Sequence, residues 1–85
     1  MQVLYFTADW CPGCKAFKPV VQQVSQELGV TVNYTNVDYD VSLTEKYSIK
    51  SIPTIVITSQ DDSLWFRHTG PMTPQQLKDT FNRFR

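Results

Sequence analysis

The chain has little of what many specialised proteins are built from: one histidine, two cysteines and three glycines in 85 residues, and no net charge, with eight Lys and Arg against eight Asp and Glu. Balanced charge removes the electrostatic case for a nucleic-acid partner, which needs clustered Lys and Arg, and points to protein or small-molecule partners instead. One histidine and one cysteine pair fall short of the four ligands of a structural zinc site, so no metal is expected. No apolar run approaches the roughly 20 residues of a membrane span. No charged segment leads into an apolar stretch as in a secretory signal, and Met1 reads as a natural start, so a cytoplasmic protein is expected. Internal repeats, linkers and low-complexity stretches are also missing.

What is present suffices for a core: 41% hydrophobic and 13% aromatic residues, a composition unlike that of disordered chains. The length sets one domain, residues 1–85, read as a monomer. A chain this small buries only about 60 to 68% of its unfolded surface, so its stability is modest unless a cross-link helps. The only intramolecular cross-link available joins Cys11 to Cys14, and a loop that short adds little chain entropy. The two sulfurs are therefore not there mainly for stability.

Val3 to Phe6 is a short apolar run suited to a strand buried on both faces. Ala16, Phe17, Val20, Val21, Val24 and Leu28 then recur at helical spacing, predicting a helix from Pro12 to Leu28 with Gly29 as its left-handed cap. Pro19 inside it predicts a kink near Phe17 and Lys18. Val30, Val32 and Tyr34 alternate as a half-buried strand reaching toward Val37. Ser42 with Glu45 fits a capping box opening a short helix through Leu43, Lys46 and Tyr47. Thr54 to Thr58 and Leu64 to His68, joined by the polar turn Gln60 to Ser63, predict an antiparallel hairpin. Thr73, Pro74 and Gln76 open a last helix whose buried face carries Leu77, Phe81 and Phe84. The predicted class is α/β, ordered β-α-β-(short α)-β-β-α, with a four-stranded mixed sheet flanked by helices.

Trp10-Cys11-Pro12-Gly13-Cys14 falls between the first strand and the first helix, where α/β sheets most often place reactive groups. Cys11 is at or next to the N-cap, where free amides and the helix dipole favour a thiolate. Pro12 gives up only an amide that has no helical partner. Cys14, one turn further in, is placed to attack a mixed disulfide formed at Cys11. Two rival readings exist: half of a zinc site completed by a second copy, and an inert pair acting as small hydrophobes. The missing second pair weighs against the first, and the flanking Trp and Pro-Gly turn against the second.

Three motifs together give the chain a resemblance to the thioredoxin and glutaredoxin superfamily along nearly its whole length. They are Ala8-Asp9-Trp10-Cys11-Pro12-Gly13-Cys14-Lys15 with Pro19 beyond, Tyr47-Ser48-Ile49-Lys50-Ser51-Ile52-Pro53-Thr54, and Gly70 before the last helix. The resemblance implies a minimal thioredoxin fold and a cis Ile52–Pro53 bond beside the cysteines. It also implies a substrate-binding groove formed by Trp10, Pro12, Gly13, Ile52, Pro53 and Gly70. There are departures. The leading strand and helix of thioredoxin are missing, which leaves a glutaredoxin-like architecture, and Pro-Gly replaces Gly-Pro between the cysteines. Tyr5 stands where thioredoxins bury an Asp beneath the second cysteine, and Tyr34 where they place a Lys. A tyrosine with a pKa near 10 is a poor base at neutral pH, which leaves water or the departing thiolate to take the Cys14 proton. The Gly pair of the glutathione-binding signature is not evident around Thr69-Gly70-Pro71-Met72.

The expected function is thiol–disulfide exchange that reduces protein disulfides, with Cys11 as nucleophile, Cys14 as resolving cysteine and no bound cofactor, since both redox states reside in the sulfurs. Disulfide-containing proteins are the expected partners, and an NADPH-dependent thioredoxin reductase is favoured over glutathione as electron donor. The alternatives are a docking module that uses the same groove with incidental cysteines, and a glutathione-dependent glutaredoxin.

Overall fold

A computed structural model describes residues 1–85. Strand β1 (Gln2–Thr7) leads into helix α1 (Pro12–Leu28), followed by β2 (Val32–Asn36), α2 (Val41–Lys46), β3 (Thr54–Thr58), β4 (Leu64–Thr69) and α3 (Pro74–Phe84). The four strands form one sheet in the order β2-β1-β3-β4. β1 pairs in parallel with β2 and antiparallel with β3, and β3 pairs antiparallel with β4. A parallel neighbour needs a crossover connection, and α1 supplies it. This is the α/β architecture the residue pattern predicts.

The central strands β1 and β3 are buried on both faces, which is why they read as unbroken apolar runs rather than as alternation. On one face Val3, Tyr5, Ile55 and Ile57 meet Phe17, Val21 and Val24 of α1 and Leu77 and Phe81 of α3. On the other, Leu4, Phe6 and Val56 pack with Tyr47 at the end of α2, joined by the partly buried Leu43, Ile49 and Ile52. α1 continues unbroken through Pro19 and ends at Gly29 (φ 66°), whose N–H, with that of Val30, closes on the carbonyls of Gln26 and Ser25. The capping box of α3 forms as its sequence predicts: the Gln76 amide donates to Thr73 Oγ1 (3.1 Å) and the Thr73 amide to Gln76 Oε1 (3.0 Å). No helix is long and apolar enough to cross a membrane.

Two expectations are corrected. Val30 is not in the second strand, because its amide is committed to Ser25 O at the helix end (2.9 Å), and β2 begins at Val32. The short helix is capped by Asp40 rather than by a Ser42–Glu45 box: the Asp40 carboxylate accepts from the Leu43 amide at 3.2 Å. The Tyr39 and Asp40 amides both turn back onto Asn36 O. That turn brings the chain into the helix two residues earlier and leaves Ser42 inside the first turn.

Candidate active site

The carboxyl end of β1 delivers the chain to Cys11, the N-cap of α1, with extended backbone (φ −97°, ψ 105°) and Pro12 in the first turn. Cys11 Sγ accepts the Cys14 amide at 3.2 Å, so the sulfur itself caps the helix. A first-turn amide with no helical carbonyl partner and the positive end of α1 thus converge on this atom, the environment that stabilises a thiolate. The pair forms a disulfide with the two Cα atoms 5.3 Å apart. Cys11 retains 6% exposure and Cys14 none. An external reagent therefore reaches Cys11 first.

The residues expected to line the groove come together. Ile52–Pro53 is cis, and Pro53 lies over the cysteine turn: a Cβ built on Gly13 would sit 3.9 Å from Pro53 Cδ. Gly70, at φ 102°, donates its amide to Pro53 O (2.8 Å). That positive φ is readily reached only by a residue without a Cβ. Ile52 packs against the cluster of Ala8, Cys11 and Cys14. Trp10 is 65% exposed, so it is not a core aromatic. Its indole Nε1 donates to Asp38 Oδ2 at 2.8 Å, which holds the ring beside the cysteines.

Beneath the pair, Tyr5 is fully buried with Phe17 and Tyr34 edge-on, each 5.8 Å away between ring centres. Its hydroxyl donates to the Cys14 carbonyl oxygen at 2.7 Å. Burial pushes the Tyr5 pKa up to about 12, with the Tyr34 charge adding to the rise and a hydrogen bond with Thr7 opposing it. The phenol therefore stays protonated at neutral pH and acts as a donor, not a base. The buried polar side chains are Ser25, Thr35, Thr54, Thr58 and Thr80, none of them ionised at neutral pH. No carboxylate lies in the interior to take the Cys14 proton.

Asp38 and Asn36 belong to the site but carry no local sequence signal. Asn36 Nδ2 donates to Asp9 Oδ1 (3.4 Å), and Asn36 Oδ1 accepts the Asp38 amide (2.9 Å), so the end of β2 and the residues just after it brace the Asp9-Trp10 turn. The partners are 27 and 28 residues apart in sequence, a separation at which no local pattern pairs them. The arrangement as a whole is a two-electron dithiol/disulfide couple with one reachable sulfur, beside the exposed Trp10 ring, Ile52 and cis-Pro53.

Comparison with known proteins agrees with this geometry. The Thioredoxin family model matches residues 1–83. The chain is 28% identical over 81 residues to the thioredoxin of Buchnera aphidicola subsp. Baizongia pistaciae, with 93% of this chain and 73% of that protein covered. To the chloroplastic thioredoxin Y2 of Arabidopsis thaliana it is 32% identical over 74 residues, covering 85% of this chain and 44% of that one. Among solved structures, Fasciola hepatica thioredoxin superposes with a TM-score of 0.87 at 28% identity, over 98% of this chain and 79% of the other. The chain belongs to the thioredoxin family of thiol–disulfide oxidoreductases, and Cys11–Cys14 is its redox-active pair.

Proposed function

We propose that residues 1–85 act as one cytoplasmic, monomeric unit that reduces disulfides in partner proteins, with Cys11 as the attacking sulfur and Cys14 as the resolving one. The observation that carries this assignment is the asymmetry of the pair: Cys11 reaches the surface at the start of α1 and Cys14 is wholly enclosed. In the reduced protein the Cys11 thiolate attacks one sulfur of the partner's disulfide. The partner's other sulfur leaves as a thiolate and takes a proton, and a mixed disulfide remains. Cys14, once deprotonated, attacks Cys11 Sγ. The partner's second sulfur departs, and two electrons have passed from this protein to the partner.

With no interior carboxylate at hand, water or the departing thiolate accepts the Cys14 proton. The exposed Trp10, the Pro12-Gly13 turn, Ile52, cis-Pro53 and the Gly70 backbone form the surface against which an extended substrate segment lies. Electrons return from an NADPH-dependent thioredoxin reductase in preference to glutathione, because the Gly pair of the glutathione-binding signature is not found around Gly70.

Replacing Cys14 with Ser tests the roles. Mixed with a disulfide-bonded protein, the variant should accumulate a covalent adduct through Cys11, seen as a mass increase that dithiothreitol reverses. A folded Cys14→Ser protein that forms no such adduct would overturn the assignment.

A further inference from the structure

The face of β4 away from α1 and α3 carries Arg67, paired across the sheet with Val56 of β3. Its guanidinium donates from one terminal nitrogen to the Tyr47 carbonyl and from the other to the Ser48 carbonyl, the latter at 2.8 Å. These oxygens lie where α2 ends. Tyr47 is the C-cap of α2, and Ser48 is a non-glycine residue in the left-handed region at φ 53°, a conformation that surrounding contacts must maintain. A planar fork that bonds two successive carbonyls restrains both peptide planes at once, which a lysine cannot do.

The restrained segment is the one that descends to the cysteines. From Ser48 the chain passes through Ile49 and Ile52 to cis-Pro53, and Ile52 touches the Cys11–Cys14 cluster. The far end of the same segment is tied to β4 as well: Thr54 Oγ1 donates to Ser51 O (2.6 Å) and lies 3.3 Å from Thr69 Oγ1, and the Gly70 amide holds Pro53 O (2.8 Å). Its start has fewer such ties, with the Ile49 amide returning to Thr44 O within α2. Tyr47 packs that start onto the sheet, and Arg67 is the side chain of the sheet that hydrogen-bonds its carbonyls.

We propose that Arg67 is a positioning residue for substrate binding: by clamping the Tyr47 and Ser48 carbonyls it holds the Ser48–Pro53 segment against the cysteine turn, and so sets the affinity for extended protein substrates. This rests on the groove reading given above. It assigns Arg67 no part in electron transfer, since the residue touches neither sulfur.

The test compares Arg67→Ala, Arg67→Lys and the native protein in three measurements. These are KM and kcat for insulin reduction under reductase turnover, the rate with dithiobis-nitrobenzoate, which is too small to span the groove, and amide hydrogen exchange at Ile49. Arg67→Ala should raise KM for insulin about three- to tenfold, the effect of loosening one or two partly exposed hydrogen bonds, with kcat little changed. The small-disulfide rate should be unaltered and Ile49 exchange faster, with Arg67→Lys falling between. If Arg67→Ala does not fold, Arg67→Gln, which keeps the stem, is measured in its place.

Unchanged Ile49 exchange overturns the clamp itself. Faster exchange with an unchanged insulin KM overturns the link from the clamp to substrate, and only if Trp10→Ala also leaves the insulin KM unchanged is it the groove reading that failed. A parallel fall in both insulin and small-disulfide rates overturns the proposal in favour of general damage to the active site.

Discussion

Tyr5 puts a donor under Cys14 where a base would otherwise be sought, and its effect can be separated from that of its ring. The hydroxyl satisfies the Cys14 carbonyl at 2.7 Å, while the ring fills the space between Phe17 and Tyr34. Tyr5→Phe keeps the ring and removes the donor, so it should lower stability by about 1 to 2 kcal/mol, measured by urea unfolding. The raised pKa adds a pH signature. Burial pushes the folded phenol up to about 12 against an ordinary value of 10.0, which favours the protonated form. Because the folded value is the higher one, this stabilisation is complete below pH 10 and is lost as pH rises toward 12. The native protein should therefore lose stability more steeply than Tyr5→Phe between those limits. Equal slopes would show that another group titrates. The replacement of a buried acid by Tyr5 is readable in the sequence, but its hydrogen bond is not, because that depends on how β1 passes beneath the first turn of α1.

At the scale of elements, α1 has clear local boundaries: a sulfur cap and proline at one end, a left-handed glycine at the other. Nothing lies within 4 Å of a Cβ built on Gly29, while its φ is 66°. Gly29→Ala should thus cost about 1 to 2 kcal/mol through backbone conformation alone, without a clash. Urea unfolding of the pair of proteins measures it, and a loss well beyond that range would mean that packing is also disturbed. The helices α1 and α3 are legible because periodicity and caps are short-range signals that reinforce one another. α2 is less so, since Asp40 and Ser42 are both capable caps two residues apart. The choice fell to the turn that folds Tyr39 and Asp40 back onto Asn36. β2 is an edge strand with only Thr35 buried, so the alternation of Val30, Val32 and Tyr34 overstated its burial and misplaced its start.

For the whole molecule, the disulfide couples redox state to stability only weakly. A bridge with a sequence separation of 3 restricts the unfolded chain by about 2 kcal/mol at most. Reduction should lower the midpoint of thermal unfolding by roughly 8 to 16 °C at most for a domain of this size, followed by circular dichroism with and without dithiothreitol. A much larger drop would mean that the pair is a structural cross-link. The small coupling suits a protein that must remain folded in both states. The core does not depend on the pair: nine buried residues join the sheet to α1 and α3, and four more lie on its opposite face.

The sequence by itself determined the elements, the fold class and the place of Cys11 and Cys14 at the start of a helix, because each depends on side chains within a few positions of one another. Only the tertiary structure decided the partners that surround the pair. The bonds of Trp10 to Asp38, Tyr5 to the Cys14 carbonyl, Gly70 to Pro53 and Arg67 to the end of α2 span 9 to 28 residues. Such contacts follow from strand order and register, with β1 between β2 and β3 and Val56 opposite Arg67. Those are set by which faces must be buried together, and burial is a property of the assembled sheet rather than of any one segment.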